Sequence, residues 1–165
     1  MESSLAPSSD NDRLPDLKTI EYHGGIVRFR IPASWKEDYD HEGCGVFYED
    51  VEDSGTLRLN VFTSKVPEHI SGNLAVHALQ SIRQAESYPI EELENGKAIM
   101  RYSESVEEDG DALLITYWIL AIPMAPNHVR FADFSYTILE SARSDPRVTK
   151  EKRILDSEFR TAIFG

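Results

Sequence analysis

The amino-acid sequence predicts an α+β protein, a three-layer α/β/α sandwich around an antiparallel sheet, with the element order ββββ-α-ββββ-α. Extended runs are joined by Asn-Gly and Asp-Gly dipeptides, which are the strongest short-range signals of a β-hairpin. Two other segments carry apolar residues at helical spacing. One strand is apolar on both faces, so both of its faces need a cover.

Four extended runs precede the first predicted helix: residues 18–23, 26–31, 44–50 and 56–64. Gly24-Gly25 joins the first pair and can adopt the positive φ angles of a tight turn. An acidic turn at residues 52–55 joins the second pair. Between the two hairpins, residues 34–39 are predicted to form one helical turn, with Trp35 as its apolar anchor.

Four more runs form a predicted antiparallel meander: residues 88–93, 98–106, 112–122 and 128–139. Asn95-Gly96 and Asp109-Gly110 make its first two turns, and residues 123–127 make the third. Within the meander, residues 113–122 read LLITYWILAI and are apolar on both faces. A strand with one face in water would alternate, so this strand is predicted to be covered above and below.

Two helices are predicted to provide these covers. The first spans residues 72–85, with Ser71 as its N-cap and Pro89 preventing its continuation. The second begins at Ser144 or Asp145, and Pro146 occupies its first position. Each helix has an apolar stripe that can pack on one face of the sheet.

The chain has 165 residues, which is the size of one domain. We predict a disordered lead-in at residues 1–17, rich in Ser, Asp and Pro, and a single α+β domain at residues 18–165. The lead-in has neither the basic nor the apolar region of a secretory signal, which predicts a cytoplasmic protein. No apolar run reaches the roughly 20 residues that a membrane span needs.

Acidic residues dominate the charge: 29 Asp and Glu against 17 Lys and Arg give a net charge of -12. This balance excludes binding to a nucleic-acid backbone, which requires clustered cations. Many carboxylates crowd predicted hairpin tips, including Glu49, Asp50, Glu52 and Asp53. Such tips either keep the protein soluble and guard its sheet edges or form a docking surface for a basic partner. The second helix is mildly basic, which is compatible with self-association of two copies through the acidic tips.

The sequence contains none of the common catalytic or cofactor motifs. There is no Gly-x-Ser-x-Gly elbow, Walker loop or Gly-x-Gly-x-x-Gly fingerprint. His41 and Cys44 lie three residues apart, but a closed zinc site needs four ligands. We therefore predict no catalytic residue, no metal site and no cofactor. Cys44 is the only cysteine, so no internal disulfide forms.

A polar group is also predicted inside the fold. Asp133 lies on one strand face with apolar residues, and Arg28, Arg30 and Arg58 are predicted to lie on neighbouring or nearby strands. These side chains either line a ligand pocket between the sheet and a helix or form a buried ion pair.

Three phrases of the sequence resemble a known group of proteins: Phe29-Arg30-Ile31-Pro32-Ala33-Ser34-Trp35, Phe134-Ser135-Tyr136-Thr137-Ile138, and the closing run from Ile154 to Phe164. Together with the element order, they resemble the PsbP-like fold, named for the extrinsic P subunit of photosystem II and shared by the yeast Ran-release factor. Members of this fold act mostly as binding or assembly proteins without a common catalytic centre. Neither of these two specific roles carries over to this chain.

Our leading hypothesis is therefore a non-catalytic protein-binding or assembly module that acts through an acidic surface. One alternative is a small-ligand-binding protein or enzyme with a pocket between the sheet and a helix. Another is a secretion-type chaperone, a class of small, acidic α+β proteins.

Overall fold

The computed structural model describes residues 15–164, which form two antiparallel sheets and two α-helices. The strands are β1 (Leu17–Tyr22), β2 (Val27–Pro32), β3 (Lys36–Tyr39), β4 (Gly45–Tyr48), β5 (Thr56–Lys65), β6 (Ile90–Glu92), β7 (Ala98–Glu108), β8 (Asp111–Met124), β9 (His128–Leu139) and β10 (Ile163–Phe164). The helices are α1 (Leu74–Gln80) and α2 (Pro146–Arg160). The predicted α+β class is confirmed. Residues 1–14, most of the predicted lead-in, lie outside the described residues.

The large sheet has seven strands in the order β3-β4-β5-β9-β8-β7-β6. Its last four strands are the predicted meander, and each neighbouring pair is antiparallel. Asp109 (φ 52°) and Gly110 (φ 85°) turn the chain between β7 and β8. Both residues adopt the left-handed conformation that a two-residue hairpin loop requires, which is why Asp-Gly marks this turn in the sequence.

The first half of the chain differs from the prediction. β1, β2 and β10 form a separate three-stranded sheet instead of extending the large one. Residues 36–39, predicted as a helical turn, form β3, an edge strand paired with β4. All four residues of β3 are exposed, so no apolar alternation marked it. Trp35, immediately before β3, is buried as its role of apolar anchor requires.

The predicted N-cap is correct for α2 and wrong for α1. Asp145 caps α2 by accepting a hydrogen bond from the Arg147 backbone N–H at 2.8 Å, as predicted. The N-cap of α1 is Asn73, not Ser71, because Asn73 Oδ1 accepts from the Val76 N–H at 3.0 Å. α1 also ends at Gln80, five residues before the predicted end at residue 85, and a 3-10 turn follows it.

The main hydrophobic core lies between the small sheet, α2 and one face of the large sheet. Phe134 of β9 stacks on Phe159 of α2 with ring centroids 3.8 Å apart. The Trp118 indole N–H of β8 donates to Asp156 of α2 at 3.0 Å. Tyr136 stacks near Trp35 and donates its hydroxyl hydrogen to the carboxylate of Glu151. Aromatic packing and two side-chain hydrogen bonds therefore hold α2 on the sheet.

A second, smaller core lies between α1 and the other face of the large sheet. Seven helical residues span about 10 Å, whereas the 14 residues of β8 span about 45 Å. Ile119 and Ala121 are buried on this side, but Ile115 and Tyr117 are only half-buried. The predicted double cover of residues 113–122 therefore holds for the second half of the strand and not for the first.

Gly55 provides a test of the main core. An added Cβ at this position would lie 2.4 Å from the fully buried ring of Tyr136. Since Tyr136 is held by Trp35 and Glu151, we expect Gly55→Ala to lower the free energy of unfolding by about 3 kcal/mol, measured by urea denaturation. Gly110→Ala is the control, because its Cβ meets nothing and only its positive φ costs about 1 kcal/mol. An equal decrease in the free energy of unfolding in the two variants would contradict the close packing of Tyr136 on Gly55.

Candidate functional site

The large sheet has an uncovered area on the side of α1, which we call the open face: Arg58, Asn60, Tyr102, Tyr117, Asp133 and Ser135. The strand register brings these residues together. Arg58 pairs with Ser135, Ser135 with Tyr117, and Tyr117 with Tyr102, so the four form one row across β5, β9, β8 and β7. Asn60 and Asp133 are paired in the next row. Side chains of paired residues point to the same face of a sheet.

Asp133 is the unusual residue of the open face. Its Oδ1 atom is buried and has no hydrogen-bond partner among residues 15–164. Burial raises the pKa of this carboxyl above its ordinary value. Asp133 forms no ion pair with an arginine in this part of the chain, so the predicted buried ion pair is wrong. An unsatisfied buried carboxylate destabilises a fold, and it therefore calls for a functional explanation.

Stacked tyrosines flank this carboxylate. The ring centroids of Tyr88 and Tyr102 are 5.3 Å apart, and those of Tyr102 and Tyr117 are 4.8 Å apart. Burial, together with the negative charges of Asp133 and Glu104, raises the pKa of Tyr102 and of Tyr117 to about 12. Both hydroxyls are therefore neutral at physiological pH. The Tyr117 hydroxyl donates a hydrogen bond to the Glu104 carboxylate at 3.0 Å, and this bond orients the Tyr117 ring.

Both acidic hairpin tips extend from the same end of the large sheet. The register aligns Tyr48, Thr56, Thr137, Ile115 and Glu104 in one row, and both hairpin turns lie beyond it. The first tip contains Glu49, Asp50, Glu52 and Asp53; the second contains Glu107, Glu108, Asp109 and Asp111. Asp133 lies four residues from this row along β9, about 13 Å away. The predicted acidic tips thus extend from the end of the large sheet that is nearer to the open face.

Two cations contact the first acidic tip. The Lys36 ammonium lies 2.8 Å from the Asp50 carboxylate. Arg147 of α2 donates from Nη2 to the backbone oxygen of Asp53 at 3.2 Å. Glu52 and Asp53 are exposed and Glu49 is half-buried. The tip therefore keeps a negative surface even though Asp50 is paired.

Arg28 and Arg30 lie elsewhere. Both point outward from β2, whereas Val27, Phe29 and Ile31 point into the main core. That core contacts the face of the large sheet opposite to Asp133, so the predicted pocket combining Asp133 with these arginines does not form. Arg30 instead makes a two-pronged ion pair with Glu158 of α2 at 2.8 and 2.9 Å, beside an open depression of about 270 Å³.

Arg28 lies 3.8 Å from Glu21 on the neighbouring strand. The His41 and Cys44 pair also has an ordinary setting, because His41 is exposed and the Cys44 thiol points toward Asn60 Oδ1 at 3.8 Å. Within residues 15–164, no three His, Cys, Asp or Glu side chains are grouped closely enough to hold a metal ion.

Sequence reasoning missed Tyr102 and Tyr117. Their pairing could have been predicted from the sequence, because the Asp109-Gly110 turn fixes the register of β7 and β8 and places Tyr102 opposite Tyr117. The open face itself was not predictable in this way, since it exists only because α1 is short.

This arrangement is suited to recognising a cation. A desolvated carboxylate accepts charge-assisted hydrogen bonds from a guanidinium or ammonium group. The faces of neutral tyrosine rings attract the same groups through the ring quadrupole. Acyl transfer commonly uses a serine or cysteine nucleophile paired with a histidine base. The open face contains Ser135 but no histidine.

Comparisons with known proteins identify the fold. No protein-family model matches the sequence, and no curated protein matches it. A crystal structure from Bacteroides thetaiotaomicron aligns with a TM-score of 0.61 at 19% identity, over 90% of this chain and 48% of that chain. This chain therefore spans about half the length of that protein.

Two further structures align over nearly their full lengths. LpqN of Mycobacterium tuberculosis, a protein involved in cell envelope biogenesis, has a TM-score of 0.60 at 12% identity, covering 89% of this chain and 91% of LpqN. The Ran-binding protein Mog1p of Saccharomyces cerevisiae has a TM-score of 0.52 at 11% identity, covering 92% and 96%. The chain has the PsbP-like fold. The predicted resemblance is thus confirmed at the level of the fold. No helix within residues 15–164 is both long and apolar enough to cross a membrane.

Asp133 makes the stability of the protein depend on pH. Its folded-state pKa is raised above the ordinary 3.8, so the folded chain binds this proton more tightly than the unfolded chain. The stabilising contribution is full below pH 3.8 and is lost as the pH rises through the folded pKa. Asn cannot ionise, so we expect Asp133→Asn to raise the free energy of unfolding at pH 7.5, on the order of 1 kcal/mol.

Urea denaturation between pH 4 and pH 8 measures this effect, and the gain should shrink toward the acidic end. Asp111→Asn, which neutralises an exposed carboxylate, is the control and should change little. A gain in Asp133→Asn that is independent of pH would contradict the assigned cause.

Proposed function

We propose that this protein is a non-catalytic binding protein whose open face receives a basic segment of a protein partner. The observation that carries the proposal is the buried, unpartnered Oδ1 atom of Asp133 beside stacked tyrosines, on the part of this sheet face that α1 leaves uncovered. A lysine or arginine of the partner would supply the missing hydrogen-bond donors.

The energetics favour such an occupant. Leaving Asp133 desolvated and unpaired costs stability in the free protein, and a bound guanidinium would remove that cost. Tyr102 and Tyr117 offer ring surface for the same group, and tyrosines are enriched in the energetically dominant part of interfaces. Ser135 and Asn60 add neutral polar groups at the rim, where hydrogen bonds give specificity.

The acidic end of the sheet adds long-range attraction. With a net charge of -12 and two acidic tips at the end of the sheet nearer to the open face, the protein would draw a basic partner toward this side. In this proposal Glu49, Asp50, Glu52 and Asp53 act mainly on the rate of association. Mog1p has this fold and is a Ran-binding protein, which supports protein binding as a role for the fold.

A photocrosslinking amino acid placed at Ser135 tests the docking surface in cells of the source organism. We expect a defined partner to be captured through a peptide that contains arginine or lysine. Thr19, exposed on the outer face of β1, is the matched control position and should capture far less of it. Equal capture from both positions would overturn the proposed surface.

Neutralising the central carboxylate tests the proposed chemistry. We expect Asp133→Asn to bind the captured partner at least ~10-fold more weakly by calorimetry, which corresponds to about 1.4 kcal/mol. Glu21→Gln removes the same charge from the exposed side of the small sheet and should bind normally. If both variants bind like the wild type, Asp133 has no part in recognition.

Reversing the first acidic tip tests the role of steering. A variant with Glu49, Asp50, Glu52 and Asp53 all replaced by lysine should associate with the same partner at least ~10-fold more slowly at low salt. The difference should narrow at high salt, because screening removes long-range attraction. Stopped-flow measurements at two salt concentrations give the association rates of the wild type and the variant. A slower rate that does not respond to salt would contradict steering.

A further inference from the structure

A second concave site lies on the opposite side of the large sheet, between α2 and β7. This depression, which we call the basic pocket, has a volume of about 340 Å³ and is lined by Arg101, Arg143, Thr149, Lys152, Arg153 and Asp156. Arg101 alternates with Met100 and Tyr102 along β7, so it points away from the open face and toward α2. The basic pocket is therefore independent of the site described above.

The charge of the basic pocket is largely unneutralised. Among the lining residues, four cations face one carboxylate, Asp156, and both oxygens of that carboxylate already accept hydrogen bonds from Trp118 and Arg160. Of the four cations, Arg143 also lies 3.9 Å from the carboxylate of Glu140. Within residues 15–164, neither Arg101 nor Lys152 nor Arg153 forms an ion pair. In a chain of net charge -12, such a concentration of positive charge is not a consequence of composition.

The pKa of Lys152 shows the effect of the positive charge in the basic pocket. Burial, followed by the positive charges of Arg101 and Arg143, lowers the pKa of its ammonium. The group is thus held partly out of water and close to like charges, an arrangement that destabilises the unoccupied protein. A bound anion would offset both costs, because its negative charge favours the charged form of the ammonium and balances the neighbouring arginines.

Arg101 is held in place before any ligand arrives. Its guanidinium lies over the Trp118 ring, with Cζ 5.7 Å from the ring centroid. Trp118 is fully buried and is fixed by its hydrogen bond to Asp156. A guanidinium fixed in this way loses little conformational entropy on binding and can offer two parallel donors to a phosphate group.

We propose that the basic pocket binds a small organic phosphate. Its volume fits a small molecule, and arginine and lysine are the side chains that recognise phosphate oxygens. A neighbouring depression of about 480 Å³ shares Thr149 and Arg153 and adds Arg147 and Lys150, so it can accommodate a second charged group of the same ligand. A nucleic-acid strand does not fit, because the acidic remainder of the protein would repel its backbone.

Calorimetric titration with inorganic pyrophosphate, at an ionic strength held constant with sodium chloride, tests the proposal. We expect saturable binding with one site per chain. The double variant Arg101→Gln/Arg153→Gln should bind at least ~10-fold more weakly. Arg83→Gln, at an exposed position on the 3-10 turn after α1, is the control for one lost charge and should bind like the wild type.

Lys152→Gln is a second variant that leaves the Arg101–Trp118 contact intact, and it too should weaken binding. In the wild type, NMR titration of the Lys152 side chain should show its pKa rising when pyrophosphate is bound. Absence of saturable binding, or equal loss in Arg83→Gln, would overturn the proposal. So would binding to phosphatidylglycerol vesicles without binding to pyrophosphate, since that would indicate a membrane surface. Asp133→Asn should leave pyrophosphate binding unchanged, which separates this test from that of the open face.

Discussion

The structure depends on a central strand that is apolar on both faces and receives two covers of unequal size. On one side, the 15-residue helix α2 and the small sheet bury Trp118 and Leu120 of β8 in the main core. On the other side, the seven-residue helix α1 packs on a smaller core, to which β8 contributes Ile119 and Ala121. The open face follows from this difference in length, because a strand rises about twice as far per residue as a helix.

Each side of the large sheet carries a different candidate binding site. The side of α1 carries a desolvated carboxylate beside tyrosines, and the acidic tips extend from the end of the sheet nearer to it. The side of α2 carries the basic pocket. In both places a charged group is kept in a setting that disfavours its charged form: Asp133 on one side and Lys152 on the other. Such local costs to stability are typical of binding sites, where the occupant restores the balance.

Local chemistry explains which parts of the fold could be predicted. The Asp109-Gly110 turn needs two residues with positive φ. At the start of α2, Asp145 accepts a hydrogen bond from a free backbone N–H, and Pro146 has no N–H to satisfy. β3 was missed because its four residues are all exposed, so no apolar alternation marks it in the sequence. At the candidate site, Asp133 was recognised as an interior polar residue. Of its predicted arginine neighbours, Arg58 lies on the same face of the large sheet, whereas Arg28 and Arg30 point outward from the small sheet.

The amino-acid sequence specifies the meander, its Asp-Gly turn and the start of α2, because hairpins and helix caps depend on neighbouring residues. It also determined that the strand at residues 113–122 would need burial. The packing of distant segments sets how far each cover reaches, which carboxylate lacks a partner and which cations converge on the basic pocket. Those outcomes depend on contacts between residues far apart in the chain, such as Asn60 with Asp133 and Trp118 with Asp156, which no local pattern encodes.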